Sequence, residues 1–465
     1  MSGTISPGHL GNLTVEQEDK LRKLWSAVFR VCGVAGENDT DSLPANYGKS
    51  DVESEAPKKR RGFSFFRNVS QPGSALPSGN SATDSADEDK YGLTKQYHEI
   101  LASQKPEDIR ETMWAMMKHD HPDALLLRFL RARKWDVEKA LVMLISAMNW
   151  RHSKMQVDPD IMWNGEAGAA ADEKAGNEKA KKLGHDFLKQ SRMGKSFLHG
   201  TDKEGRPICV VRVRLHKASD QSPESLERYT VFIIETARLA LKAPIDTANI
   251  IFDMTGFTLA NMDYHPVKFM IQCFEANYPE SLGVVLVHNA PWVFQGIWKI
   301  IRGWLDPVVA AKVHFTNYRA GLEEFIHANQ LIKDLEGDED WKYEFDEPTE
   351  GENVLMKDVQ TRDRLLKERE ALYAHYEAAT RRWIHHPAGE EAQTVNAERE
   401  EIAAKLRDGY WKLDPYVRAR SLYDRQGIIR PDGDVNWYRY QTMDCKPFSS
   451  TEGNSVVGET NRAAN

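Results

Sequence analysis

Few residue patterns in this 465-residue chain could carry catalysis, and each fails on its neighbours. Gly194-Lys195-Ser196 matches the tail of a phosphate-binding loop, but the first glycine should fall at position 189, which is Lys189. The segment also follows helical sequence instead of a strand. No G-x-S-x-G nucleophile elbow and no H-E-x-x-H zinc pair occur. His119/His121 and His385/His386 have spacings that suit no common metal geometry and lie in polar surroundings, as surface histidines do. Asp253 ends a buried apolar run without a base or nucleophile beside it, so a turn or cap role fits it best. Cys32, Cys209, Cys273 and Cys445 lie far apart and form no C-x-x-C pair, which reads as reduced thiols of a cytosolic protein. The expectation is a protein that is not an enzyme, with no metal and no cofactor.

What stands out instead is apolar. In Ala290–Phe315, the residues Val293, Phe294, Ile297, Trp298, Ile300, Ile301, Trp304 and Leu305 cover more of a helix than a core-facing stripe needs. The run lasts about a dozen residues before Asp306-Pro307, too short to cross a bilayer. It fits the lid or wall of an apolar cavity, and equally a buried core helix. With 41% hydrophobic and 28% charged residues, the chain is otherwise that of a water-soluble protein. A net charge of -8 argues against general nucleic-acid affinity. The N-terminus lacks the apolar stretch of a signal peptide, and no run of about 18 apolar residues occurs, so any membrane contact is peripheral.

The elements that must position these residues follow from periodicity. Leu13–Gly33 is an amphipathic helix through Leu21, Leu24, Trp25, Val28 and Phe29. Ser, Gly, Pro, Asn and Asp dominate from about residue 35 to 90, as in a disordered linker. The linker carries Lys58-Lys59-Arg60-Arg61 followed by Phe63, Phe65 and Phe66, an anionic-lipid contact, an address signal or a solvated tract. Leu125–Leu130 is a buried helix ending in Arg131-Ala132-Arg133-Lys134, and Asp136 caps the next one. Residues 164–182 are small and charged without apolar periodicity and look like a surface insertion. Then Ile208–Leu215, Asn249–Met254, Gly283–Val287 and Val313–Thr316 read as strands, with helices over Leu226–Leu241 and Val267–Tyr278. Short apolar strands alternating with helices imply a mainly parallel sheet covered by helices. Beyond Pro348, roughly Glu352–Ile384 and Thr394–Tyr423 are charged helices with narrow stripes such as Leu365, Leu372 and Tyr376. They should pack on the main domain or on a partner.

Several of these segments carry a family resemblance. LLRFLRARKWDVEKALVMLISAMNWR (Leu126–Arg151), DKEGRP (Asp202–Pro207), IIFDMTGF (Ile250–Phe257), NYPESLG (Asn277–Gly283), VHNAPWVF and LDPVVAAKV occur in the expected order. Over about Tyr91–Phe345 the chain resembles the CRAL-TRIO lipid-binding family, most closely its fungal phosphatidylinositol transfer proteins. The resemblance implies a helical N-terminal lobe and an α/β lobe whose sheet floors a deep apolar pocket. Its mobile gate would be the helix at Trp292–Trp304, with Val293, Phe294, Ile297, Trp298, Ile301 and Trp304 as gate and lining. Carried over one at a time, the family's phosphoinositide headgroup positions are Arg133, Lys134, Glu280 and Lys312. Cations for the phosphate and a carboxylate for ring hydroxyls make sense of that set. Without the resemblance, the first two are a solvated helix end and the last two a structural ion pair.

Three positions depart from the family pattern. Ser281 stands where these transfer proteins carry arginine, and Ala248 and Ile250 stand where the resemblance places hydroxyls that contact phosphatidylcholine. Phosphatidylinositol binding is therefore expected, with phosphatidylcholine binding weak or lost, and another apolar lipid such as a sterol-like molecule could take the second role. The implied function is exchange of phosphatidylinositol between membranes. The alternative is a sensor or scaffold that presents the lipid to a lipid kinase or recruits a partner. The resemblance and composition suggest five parts: a helix at 1–34, a linker at 35–90, a helical lobe at 91–165, the α/β lobe at 166–347, and a helical extension at 348–465. A cytoplasmic monomer is expected, transiently on membrane surfaces, without nucleic acid and with a possible protein partner at the C-terminal helices.

Overall fold

The computed structural model describes residues 5–34, 89–386 and 388–439. The expected linker and its basic-aromatic run therefore lie almost wholly outside the described residues, as does Cys445.

Five strands form one sheet in the order β1-β2-β3-β4-β5. They are β1 (Ser196–Thr201), β2 (Pro207–Arg212), β3 (Ala248–Asp253), β4 (Leu282–His288) and β5 (Val313–Thr316). β1 is antiparallel to β2, and every later pair is parallel. The mainly parallel sheet covered by helices is thus present. Sequence periodicity missed β1, because Phe197 and Leu198 sit among Ser, His, Gly and Thr. It also ran β2 three residues too far: Val213–Leu215 is a 3-10 turn.

Alternation along the strands sorts their side chains. Ile208, Val210, Ile251, Val284 and Leu286 point to one face, where they pack with Phe197 on Leu322, Ile326, Leu331 and Leu335. Cys209, Ile250, Val285 and their alternating neighbours point to the other, toward the helix Pro223–Leu239. Ser222 caps that helix by accepting from the Ser225 amide, and Pro223 supplies its first-turn φ.

A second core lies in the helical lobe, built from Leu93–Ser103, Pro106–Met117, Pro122–Ala132 and Val137–Asn149. Asp136 does cap the last of these, accepting from the Lys139 amide. The N-terminal helix, Val15–Val31, starts with a Thr14/Gln17 capping box and inserts Leu24, Trp25 and Val28 into the same core. The long C-terminal helices, Val359–His385 and Glu390–Val417, lie against each other and add Tyr376, Trp383, Ile402 and Leu406 to it. Of the two expectations for these helices, packing on the main domain is the one seen. Their apolar stripes are spent inside the molecule.

Residues 164–182 are helical apart from the connection Gly176-Asn177. They fall in two helices, Trp163–Ala175 and Glu178–Arg192, that pack closely on each other. A side chain at Gly184 would sit 2.4 Å from the Ala169 carbonyl oxygen, so the contact depends on small residues. That is why no large apolar period marks it.

Candidate functional site

The second sheet face does not pack solid. Cys209, Val211, Ile250, Phe252, Val285 and Val287 floor an apolar cavity of about 240 Å³. Its walls are Ile233 and Tyr229 of the helix Pro223–Leu239, with Ile271 and Phe274 from Tyr264–Asn277. The single helix predicted over Val267–Tyr278 is two pieces: an α-helix to Gln272, then a π-turn from Cys273 to Asn277. The π-turn is wider and ends the helix at the N-Y-P-E segment.

The cavity's cover is the helix Phe294–Arg302. Phe294, Trp298, Ile301 and the following Leu305 line the space. Ile297 is buried in the small cluster behind it, while Trp304 and Val293 do not line it. The helix is shorter than expected and not greasy on most sides: Gln295, Gly296, Lys299 and Arg302 face outward. Sequence overestimated its apolar coverage because Val293, Trp304 and Leu305 lie beyond its ends. Trp298 meets Phe315 edge-on at 5.2 Å, and Trp304 meets Tyr264 at 5.3 Å with the Lys268 ammonium 4.7 Å from its ring. Trp292 and Ile300 at this cover, and Val308 and Phe315 after it, are large apolar side chains left exposed.

Charge collects where strands β4 and β5 begin. Lys312 Nζ lies 3.5 Å from Glu280 Oε2, and both side chains are about a quarter exposed, at 22% and 25%. Val309 and Val313, flanking Lys312, line the cavity. Glu280 adopts the left-handed conformation (φ +53°), which a non-glycine residue adopts at some cost, and Arg128 fixes it by donating to its carbonyl at 3.0 Å. Arg133 is half-buried and its guanidinium has no ion pair or side-chain hydrogen bond among the described residues. Burial lowers its pKa, against the pull of Asp306, Asp89 and Glu275. Lys134, also left-handed at φ +50°, is exposed and likewise unpaired among the described residues. The structure thus joins Glu280 to Lys312 directly and sets Arg133 nearer the Asp306 end of the short helix that leads to Lys312.

Other site residues escaped the sequence. Glu275 accepts from Lys90 (2.8 Å), the Tyr91 hydroxyl (2.7 Å) and the Asp306 amide (2.7 Å), and Lys90 also donates to the Trp304 carbonyl. That ties the covering helix's far end to the start of the helical lobe, with no local pattern to announce it. Between the lobes, Arg151 pairs with Glu235 and Asp158, and Lys118 joins both. Burial alone would raise the Glu235 pKa, but Arg151 and Lys118 outweigh it and hold the carboxyl well below its usual range. His119 is no surface histidine: it is buried, 5.1 Å from the Trp411 ring, and burial keeps it neutral by lowering its pKa. His121 caps a helix, accepting from the Asp123 amide. Asp253 has its structural role, accepting from the Thr255 amide at 3.0 Å and from Arg214 at 2.6 Å. Among the described residues no His, Cys, Asp and Glu group could hold a metal, and no helix is long and apolar enough to cross a membrane.

A sheet packed solid on one face and fronting a covered apolar cavity on the other defines a protein with room for a hydrophobic ligand. The chain belongs to the CRAL/TRIO family, whose members bind lipids. The CRAL/TRIO domain matches residues 191–337 and the CRAL/TRIO N-terminal domain residues 94–146. The CRAL-TRIO domain-containing protein C3H8.02 of Schizosaccharomyces pombe is 42% identical over 427 residues, 91% of this chain and 93% of that one. Phosphatidylinositol transfer protein CSR1 of Eremothecium gossypii is 39% identical over 92% of this chain and its own whole length. Likeness to both runs well beyond the two matched segments. The Sec14 cytosolic factor of Schizosaccharomyces pombe is 31% identical over 46% of this chain and 74% of its own.

Proposed function

We propose that this protein binds phosphatidylinositol and exchanges it between membranes, acyl chains in the cavity and headgroup at Arg133, Lys134, Glu280 and Lys312. The observation that carries the reading is the covered apolar cavity with an ion pair beside its lining residues Val309 and Val313. The family and a relative named for phosphatidylinositol transfer support it. An acyl chain of about 16 carbons in water costs roughly 0.8 kcal/mol per methylene, on the order of 10 kcal/mol. A dry pocket removes that barrier and leaves opening of the cover as the slow step. Phosphate oxygens would take the unpaired Arg133 and Lys134, and a ring hydroxyl would donate to Glu280. The outward face of the covering helix, with Trp292, Lys299, Ile300 and Arg302, suits transient contact with an anionic surface.

Ala248 and Ile250 offer no hydroxyl at the positions where phosphatidylcholine would need one, so that lipid should bind weakly. Mass spectrometry of co-purified lipid, followed by vesicle exchange, tests the reading. Phosphatidylinositol should be found and should move much faster than phosphatidylcholine; equal rates would overturn the selectivity. Bound phosphatidylinositol without exchange would instead favour the sensor or scaffold.

A further inference from the structure

The motif set aside as a false phosphate loop returns in another place. Lys195 is 4% exposed and lines the apolar cavity. The Arg212 amide donates to its carbonyl, so it stands level with the C-terminal end of β2, which is in register with Asp253 and, through it, His288. Glu280 and Lys312 precede β4 and β5, toward the opposite end. From Leu282 to His288 strand β4 rises about 20 Å at roughly 3.3 Å per residue, so the cavity has two poles with apolar wall between them.

The far pole is under-satisfied. The Lys195 ammonium donates to Gln221 Oε1 at 2.7 Å and has no carboxylate within ion-pair distance among the described residues. An ammonium has three donors, so two lack an acceptor there. The charged groups that face it are already engaged. Asp263 pairs with His216 at 3.2 Å and accepts from the His265 amide, Asp220 lies 3.8 Å from Lys189, and Arg212 pairs with Asp334. His216 is kept neutral by its burial and by Lys195 itself. A buried cation with spare donors at the end of an apolar tube is stabilised by an anion that arrives on an apolar chain.

We propose that this pole is a second ligand anchor, at which Lys195, held by Gln221, binds the carboxylate of a long-chain fatty acid whose chain fills the cavity. This assignment shares the cavity with the reading above but none of its headgroup residues. Burial, opposed by Asp220, pushes the Lys195 pKa down to about 8, so carboxylate binding should weaken as pH rises through that value.

The test compares palmitate, hexadecanol and hexadecane by displacement of a fluorescent lipid from the delipidated full-length protein. The protein should bind palmitate about tenfold more tightly than hexadecanol at pH 7, with that preference shrinking between pH 8 and 10. Lys195→Met should abolish the preference by weakening palmitate binding. Equal affinity for acid and alcohol, or a preference that survives in Lys195→Met, would overturn the proposal. The pH profile of the unaltered protein needs no variant to fold. Loss of phosphatidylinositol exchange with Lys195-dependent palmitate binding intact would sink only the transfer reading, and the reverse would sink only this one.

Discussion

Trp25, Trp114 and Trp383 of the helical lobe are 2% exposed or less, whereas Trp298 of the sheet lobe borders a cavity of about 240 Å³. Both regions are apolar, yet one is filled and the other hollow. The filled one is cross-braced: Asp123 accepts from Trp25 (2.7 Å), Tyr376 (3.0 Å) and Arg399 (2.6 Å), and the Arg399 guanidinium lies 4.1 Å from the Trp383 ring. These contacts have one satisfying geometry and hold four helices from three parts of the chain in it. The hollow one is walled mostly by aliphatic and aromatic side chains whose burial has no preferred direction, with its charges at the two poles. Such a wall imposes no single arrangement on what lies against it.

The comparison breaks most visibly if its brace is cut. Arg399→Met leaves the Asp123 carboxylate buried without its cation and should cost about 3–5 kcal/mol in urea unfolding. The pH response should also change sign. In the intact protein burial would raise the Asp123 pKa, but Arg399 outweighs it and holds it below the usual range. That stability is present at neutral pH and is lost as pH falls through the depressed pKa. Without Arg399 the carboxyl's folded pKa rises, so the variant should be more stable near pH 5 than at pH 7. A variant with unchanged stability and pH profile would mean that packing alone, not the brace, holds this lobe.

Paired truncations sharpen the same contrast. Trp383→Ala opens a void in a filled core and should cost about 3–5 kcal/mol. Trp298→Ala only widens space that already exists, and should cost less than ~1.5 kcal/mol. Equal losses in thermal or urea unfolding would mean that the second region is effectively solid. Trp298→Asp should leave the fold in place while slowing lipid loading from vesicles several-fold, because a carboxylate must then be desolvated in the cavity wall.

How much of this could be read from residues follows the range of the interactions. Strand alternation, the parallel sheet, the Asp136 cap and the cover's inward Phe294, Ile297 and Ile301 were legible, because each rests on a local period or cap. The families of side chains that meet across long sequence separations were not. Lys90–Glu275, Lys118–Glu235 and Arg399–Asp123 join residues that carry no signal until the chain is folded. His119 looked solvated because its sequence neighbours are polar, whereas Tyr410 and Trp411 bury it from a distant helix. Whether apolar walls close on themselves or leave a hollow is likewise a matter of volume that periodicity does not encode. At the headgroup candidates, family resemblance pointed to four residues. Only the Glu280–Lys312 contact is direct, and the conformation that presents Glu280 depends on Arg128, seven residues of helix and turn before Trp135 and far from Glu280 in sequence.

The smallest stability effect should come from the residue with the most selective functional one. Lys312→Ala removes a pair whose members are about a quarter exposed, so its loss should change unfolding free energy by no more than ~0.5 kcal/mol. If the ammonium holds an inositol phosphate, however, phosphatidylinositol exchange should drop about tenfold, equivalent to about 1.4 kcal/mol, while binding of an uncharged apolar lipid stays as it was. Loss of both activities together would point to damage in the cavity wall through Val309 and Val313. Loss of neither would return the pair to a structural role and move the headgroup toward Arg133 and Lys134, where Arg133→Ala is the matching measurement. Selective loss alone separates a ligand contact from a strut, because a strut cannot distinguish between lipids it does not touch.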